Sequence, residues 1–588
     1  MHHPSGKTSP FVRLLRLIVE DRRELFGSII FALLNSLLLL AVPLAAQGLV
    51  NVSAAGLALQ PLLVLAGALM IGLLFAGALT CLRFWLAEIM MERIFSRVAL
   101  RVAEALPNVR SRHLWKSGGP ELMNRFFDVI NIEKSWFKLV YDGPGSVLEI
   151  IIGLSLLWLY GFQLFFAAAA FVVLGALVVV MAGFGGLGSA IDESAQKYRV
   201  AEWLEEMVRC QDSLRLNSRP GFWAEQADQR VVSYLLLRRR HFRVLLRQVS
   251  LHYFLSAIGL AGMLGMGGYL VLEGQLSLGQ LVAAELVVWS LFKATEKLLR
   301  TCEAYFDLLT GLDKIGYITD LPMESVGTTE YAAAGPSVQV TADAATYTYG
   351  ESSSGLLRDI SFSLSPGERV VVLGATGAGK TTLLRMLAGS LHPQSGAIEL
   401  GLVDLRELSP ESKSRSIGYF SERNELFAGS LLDNVAAGRE CDMHQTREWL
   451  MQTGGRGALK RSIGGELSQL TSAGSTLSAG EAKSVQLSRV LLGRPQLLLL
   501  DDPLSHLSEQ TLDDLLKSTF LESDRPTIVS TSTLPQIVAV CDRVLLIENQ
   551  TLQEEGNPRK LAADPTSRFA TLYPNLSQFL NASGGKNV

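Results

Sequence analysis

The sequence predicts a bundle of six membrane-spanning α-helices followed by an α/β domain built around a phosphate-binding loop. Three observations predict it. Apolar runs of membrane-crossing length recur only before about residue 300. The composition shifts near Leu321. Beyond that point a Gly-rich octapeptide sits between an apolar strand and an apolar helix. Hydrophobic residues are 48% of the 588 and charged residues only 19%, which excludes an ordinary soluble protein.

The expected spans form three pairs: Leu25–Val50 with Pro61–Leu82, Val147–Tyr160 (extended N-terminally) with Gln163–Phe184, and Leu251–Leu272 with Leu278–Leu291. The short connections between paired spans carry no Lys or Arg, as in Asn51–Gln60 and Gly161-Phe162. The N-terminus carries Lys7, Arg13, Arg16, Arg22 and Arg23, and the stretch Ile191–Ser250 holds Arg238-Arg239-Arg240, Arg243 and Arg247. Positive charge collects on the cytoplasmic side. Both termini and the α/β domain are therefore expected in the cytoplasm of a bacterial-type cytoplasmic (inner) membrane. A solvated helix face near anionic lipid accounts for the arginines, and a net charge of -3 gives no support to a nucleic-acid partner.

The first apolar run is too long for a cleavable signal peptide and lacks a small-residue cleavage site. The bundle begins within the first ~25 residues, so no N-terminal peptidase domain is expected. Cys81, Cys210, Cys302, Cys441 and Cys541 show no CxxC or Cys/His spacing, which argues against disulfides and zinc. The expected domains are residues 1–320, a linker at 321–337, the α/β domain at 338–574 and a polar tail at 575–588. The linker reading rests on Gly327–Pro336.

The loop is Gly374-Ala375-Thr376-Gly377-Ala378-Gly379-Lys380-Thr381, after the strand Arg369–Leu373 and before the helical run from Thr382. Glycines at 374, 377 and 379 let backbone N–H groups turn toward phosphates, and the helix start at Thr381-Thr382 adds a favourable dipole. Lys380 is placed to reach the β/γ oxygens of ATP, and Thr381 to hold Mg2+.

Further on, Leu477-Ser478-Ala479-Gly480-Glu481 precedes a four-leucine strand, Leu497–Leu500, that ends in Asp501. With six spans and one P-loop domain, this order resembles a half-transporter of the ABC exporter superfamily. Gly274-Gln275-Leu276-Ser277-Leu278-Gly279-Gln280 is similar to exporter sequences before the last span. The resemblance covers nearly the whole chain and implies a type I ABC exporter fold, with ATP and Mg2+ as cofactors. It also implies a second ABC half, the two nucleotide domains facing head to tail.

The resemblance assigns roles by position. Tyr349 is the adenine-stacking aromatic, with Tyr347 the alternative. Asp501 is the Walker B carboxylate that orders the metal, and Ser478 and Gly480 reach ATP bound to the other subunit. Coupling to the bundle is expected around residues 105–125 and 205–230. The departures cluster at hydrolysis. Asp502 stands where the family has the catalytic glutamate, and a reach shorter by about 1 Å costs on the order of 100-fold. Ser532 replaces the switch histidine and Glu422 the glutamine that senses metal and water. Ser508 falls at the D-loop aspartate, and Ser472 lies where glutamate is common before the signature.

The leading expectation is a heterodimer in which this chain's own site, with Asp502, Ser532 and Glu422 at degenerate positions, binds ATP and turns it over slowly or not at all. The rival is a homodimer in which Asp502 still works, with Glu422 compensating. Three function classes stay open: an exporter half for peptide, protein or amphipathic cargo, with a periplasmic adaptor in the secretion case; an exporter-fold siderophore importer or lipid flippase; and a regulatory ATP-binding membrane protein. Glu149 and Glu285 fall within expected spans, where acids are expensive. Glu149 is a candidate for lining a pathway, or a residue at a span end. Glu285 is read as paired inside the bundle, with Lys293 or another span as its partner.

Overall fold

A computed structural model describes residues 9–54, 59–109, 119–323, 327–331, 335–348, 356–421, 426–461, 469–470, 477–501 and 507–582. The chain divides into two compact units, the boundary falling between Met323 and Glu324, with 110–112 grouped with the second.

The first unit is helical: α1 (Pro10–Glu20), α2 (Arg22–Leu39), α3 (Ala41–Ala54), α4 (Leu59–Ala105), α5 (Asp128–Tyr160), α6 (Phe162–Ala182), α7 (Gly186–Arg209), α8 (Gln211–Asn217), α9 (Phe222–Leu272) and α10 (Leu278–Thr319). Five helical stretches among the described residues are long and apolar enough to cross a membrane, and α6 is a shorter apolar one. These match the six expected spans in order. The first span is interrupted at Leu40, three residues before Pro43, because proline lacks the N–H that an unbroken helix needs. Several helices run far beyond the apolar stretch: α4 has 47 residues and α9 has 51. Their polar extensions carry the charged sequence between spans.

The Gly274–Gln280 motif acquires a mechanical role. Gly274 takes φ +71° after α9, a left-handed conformation that costs glycine nothing. Ser277 then caps α10: its hydroxyl accepts from Gln280 N–H at 3.1 Å, and Gln280 Oε1 accepts from Ser277 N–H at 2.8 Å. This capping box fixes the hairpin between the last two spans.

Two of the unit's buried clusters among the described residues hold most of its helices together. One, with Leu157, Leu164, Val287 and Leu291, lies among α5, α6, α9 and α10. The other joins Met90, Ile94, Ile132, Trp136 and Leu308 in the helical extensions. Buried Asp128 accepts from Tyr198 O–H at 2.6 Å and pairs with Lys314 at 3.4 Å, tying α5, α7 and α10. Arg97 on α4 binds Asp21, which is 1% exposed, at the α1–α2 junction.

The second unit is α/β. Strands β1 (Val340–Tyr347), β2 (Leu357–Leu364), β4 (Ser395–Leu400) and β5 (Val403–Asp404) form a sheet in the order β2-β1-β4-β5. The central sheet runs β12-β11-β3-β10-β9-β6, from β3 (Arg369–Leu373), β6 (Ile417–Phe420), β9 (Leu497–Leu500), β10 (Thr527–Ser530), β11 (Arg543–Glu548) and β12 (Thr551–Gly556). A two-residue pair, β7 (Gly429–Ser430) with β8 (Gln469–Leu470), completes the strands. β3, β6, β9, β10 and β11 are parallel. The four-leucine strand β9 lies between β10 and β6, buried at every position, as a strand covered on both faces must be.

Pro574–Ala582 is a helix with Leu576 and Leu580 buried, so the helical part of the expected polar tail packs on the domain. Spacing of four residues puts both leucines on one face, a signal that the polar neighbours mask.

Candidate functional site

The parallel register gathers the sequence motifs at one edge of the central sheet. Ser530 pairs with Leu500 on β9 and with Val371 on β3, so the residues that follow these strands leave side by side. This carboxyl edge is where open α/β sheets bind ligands.

β3 leads into the Gly-rich loop, whose glycines adopt conformations that a side chain would oppose. Gly377 has φ +85° and Gly379 φ +102°. A Cβ at Gly374 would stand 2.4 Å from the Ile547 carbonyl oxygen, and one at Gly379 would stand 2.7 Å from Leu357. Gly379 is the N-cap of the helix Lys380–Leu387, which buries Leu383, Leu384, Met386 and Leu387. Thr382, also buried, sits in its first turn. The Lys380 ammonium donates to the Gly374 and Ala375 carbonyls at 2.8 and 3.0 Å, which holds the positive charge against the loop.

Asp501, 5% exposed, follows β9 and is met by residues from the helix after the loop and from the end of β10. Its Oδ1 accepts from Thr381 Oγ1 at 3.1 Å and from Thr531 Oγ1 at 3.1 Å. A hydroxyl and a carboxylate oxygen side by side form a hard-oxygen donor pair, which suits Mg2+ completed by phosphate and water. Among the described residues no cluster of three His, Cys, Asp or Glu side chains could hold a metal. The Thr381 hydroxyl and the Asp501 carboxylate would fit a metal shared with a phosphate ligand.

Ser478 caps the helix Ala479–Leu492 through a capping box with Glu481. Glu481 Oε2 accepts from both the N–H and the hydroxyl of Ser478 at 2.8 Å. The helix start, with Gly480 in its first turn, is therefore braced from within, and Ser484 caps back onto the Gly480 carbonyl at 3.1 Å.

Ser532 is fully buried. Its hydroxyl accepts from Leu534 N–H at 3.3 Å, before the helix Pro535–Val540. Ser508 accepts from Thr511 N–H at 3.3 Å and caps the helix Glu509–Leu515. Tyr349, Glu422, Ser472 and Asp502 lie outside the described residues. Tyr347, the alternative to Tyr349, is 3% exposed inside the core between β1, β2 and β4, where it has no face to offer an adenine.

In the membrane unit Glu149 pairs with Lys297 on α10 at 3.3 Å. Of the partners expected for Glu285, Lys293 or a residue of another span, Lys293 is engaged elsewhere. Lys293 binds Glu296 at 3.1 Å, one turn away. Glu285 and Lys293 are eight residues apart on one helix, about 12 Å along its axis.

Two contributors escaped sequence reasoning. Thr531 follows β10 and reaches Asp501; its signal is the strand pairing, which a sequence read strand by strand does not give. Tyr573 donates no motif at all, yet its hydroxyl accepts from Gly374 N–H at 2.9 Å. Burial pushes that phenol's pKa up.

The family model for the ABC transporter transmembrane region matches residues 25–292, and that for the ABC transporter domain matches 357–505. The mycobactin import ATP-binding/permease protein IrtB of Mycolicibacterium thermoresistibile is 26% identical over 498 residues, 82% of this chain and 83% of that protein. The alpha-hemolysin translocation ATP-binding protein HlyB of Escherichia coli O157:H7 is 24% identical over 313 residues, 53% of this chain and 44% of that protein. A solved bacterial Atm1-family ABC exporter with ATP bound superposes with TM-score 0.80 over 96% of this chain and 100% of that one, at 19% identity, a likeness of fold.

Proposed function

The chain belongs to the ABC transporters, an exporter-type membrane region fused to one ABC domain, and on that premise we propose that it is the slow-hydrolysing half of a heterodimeric, ATP-driven transporter. Two ABC domains close head to tail, each ATP lying between one P-loop and the other chain's signature. Here Gly374, Gly377, Gly379 and Lys380 cradle the phosphates, Tyr349 stacks on adenine, and Thr381 and Asp501 hold Mg2+, with Glu422 near it. The metal, when bound, neutralises charge on the β- and γ-phosphates. Ser478 and Gly480 serve the partner's ATP.

The burial of Ser532 carries the asymmetry. Its hydroxyl satisfies a backbone N–H of its own turn, and a serine there has neither the reach nor the charge to steady a γ-phosphate. Asp502 adds a short general base. ATP retained at this site acts as a clamp that favours the closed domains in proportion to its differential affinity for them. The braced signature helix supports completion of a competent site whose base comes from the second chain. Both termini and the ABC domain face the cytoplasm in this reading, consistent with Arg-rich extensions.

Export of a peptide, protein or amphipathic molecule fits the exporter-type fold, with a periplasmic adaptor needed only for secretion. Import of a siderophore is the second reading, favoured by the match to a mycobactin import protein across 82% of the chain.

The test is the ATPase rate of this chain purified alone against that of the native complex with its second ABC chain. The isolated chain is expected to be at least about 100-fold slower. Brisk turnover by the isolated chain, abolished by Asp502→Asn, favours the homodimer and removes the heterodimer reading.

A further inference from the structure

A cavity of about 300 Å³ lies among α2, α4, α5 and α10, lined in part by Asn35, Thr80, Arg83, Asp142, Glu149 and Lys297. Arg83 is only 5% exposed. Its guanidinium donates to the Tyr141 carbonyl and stands 4.7 Å from the centre of the Tyr141 ring. Its buried Nε has no hydrogen-bond partner among the described residues. Asp142 and Glu149, the latter matched to Lys297, line the same cavity, but neither carboxylate comes within ion-pair distance of Arg83 among the described residues. Gly145 leaves room for the guanidinium: a Cβ there would stand 3.2 and 3.3 Å from Nη2 and Nη1.

A guanidinium removed from water is costly unless charge and hydrogen bonds compensate it. At a site bordering a hydrocarbon layer the cost is higher still, and such residues mark ligand paths. Nε and Nη1 of Arg83 make no hydrogen bond among the described residues, and a planar guanidinium is suited to the oxygens of a carboxylate or phosphate. We propose that this cavity is a binding subsite for an oxyanion, carboxylate or phosphate, borne by the molecule the transporter handles, with Arg83 as its anchor. The inference rests on the transport reading and adds a chemical class to it. A soluble anionic cargo and an anionic lipid headgroup share this chemistry.

The full chain in detergent, titrated with inorganic phosphate at constant ionic strength, is expected to gain thermal stability in a saturable manner. Arg83→Gln should weaken that response about 10- to 100-fold, the range for a hydrogen bond to a charged group. Arg243→Gln, on an exposed part of α9, should leave it unchanged. If Arg83→Gln does not fold, Arg83→Lys keeps the charge without the fork and should still weaken binding. In nanodiscs of phosphatidylglycerol or phosphatidylcholine, native mass spectrometry separates the sources. Phosphatidylglycerol retained by the wild type and lost from the variant identifies a lipid headgroup, and phosphate binding without lipid retention identifies a soluble anion. An equal phosphate response in wild type, Arg83→Gln and Arg83→Lys overturns the proposal. If the Arg83-dependent response is present while the native complex moves no substrate, the site stands and the transport reading falls.

Discussion

The hydroxyl oxygen of Tyr573 accepts a 2.9 Å hydrogen bond from the backbone N–H of Gly374, linking the C-terminal helices to the first glycine of the phosphate loop across 199 residues of sequence. Phe569, fully buried, sets its ring at a tilt against that of Tyr573, 6.0 Å between centroids, which fixes the phenol's position. The loop is thus held from below by a group that has no part in any phosphate-binding motif.

Tyr573→Phe removes one bond to a half-buried N–H without changing the packing. A loss of about 0.5–1.5 kcal/mol is expected. If the loop bears that loss, ATP affinity falls about 2- to 10-fold, measured by equilibrium titration with Mg2+ present. Unchanged affinity together with unchanged stability would show that the bond does not order the loop.

Asp501→Asn keeps the shape of the carboxylate and both hydroxyl contacts but removes the charge that a magnesium ion needs. Nucleotide binding in the presence of EDTA should change little, whereas the gain in affinity on adding Mg2+ should shrink about 10-fold or more. Thr381→Val should act in the same direction by removing the adjacent oxygen. A full magnesium effect in both variants would displace the metal from this pair.

Arg369 and Asp542 brace the base of β3 and β11, with Arg369 Nη2 2.6 Å from Asp542 Oδ1 and the Arg369 N–H donating to Oδ2 at 3.0 Å. Burial raises the carboxyl, but the Arg369 side-chain and backbone bonds outweigh it and hold Asp542 below its ordinary value. A depressed folded-state pKa means that the pair's contribution is complete above the unfolded value of about 3.9 and disappears as pH falls through the lower folded value. Asp542 is 40% exposed, so solvent screening limits the contribution to about 0.5–1 kcal/mol. Urea unfolding of wild type and Asp542→Asn should differ by that amount at pH 7 and converge as pH falls through the lowered folded-state value. A difference that persists at low pH would assign the effect to packing.

The local alphabet was enough for much of this protein. Uncharged runs near 20 residues can be satisfied only as spanning helices, and the strand–glycine–helix succession at 369–387 permits few structures other than a phosphate cradle. The Gly274 and Ser277-to-Gln280 signals likewise act within one turn, so sequence alone defined that hairpin. Partnerships between distant residues were another matter. Which strand lies beside β9 determines that Thr531, rather than its neighbour Ser532, faces Asp501, and strand order is set by packing of whole layers. The pairing of Glu149 with Lys297, the approach of Tyr573 to Gly374 and the enclosure of Arg83 against Gly145 depend on helices and strands separated by 60 to 200 residues. Such contacts form only when the cores close, and no short stretch of sequence encodes them.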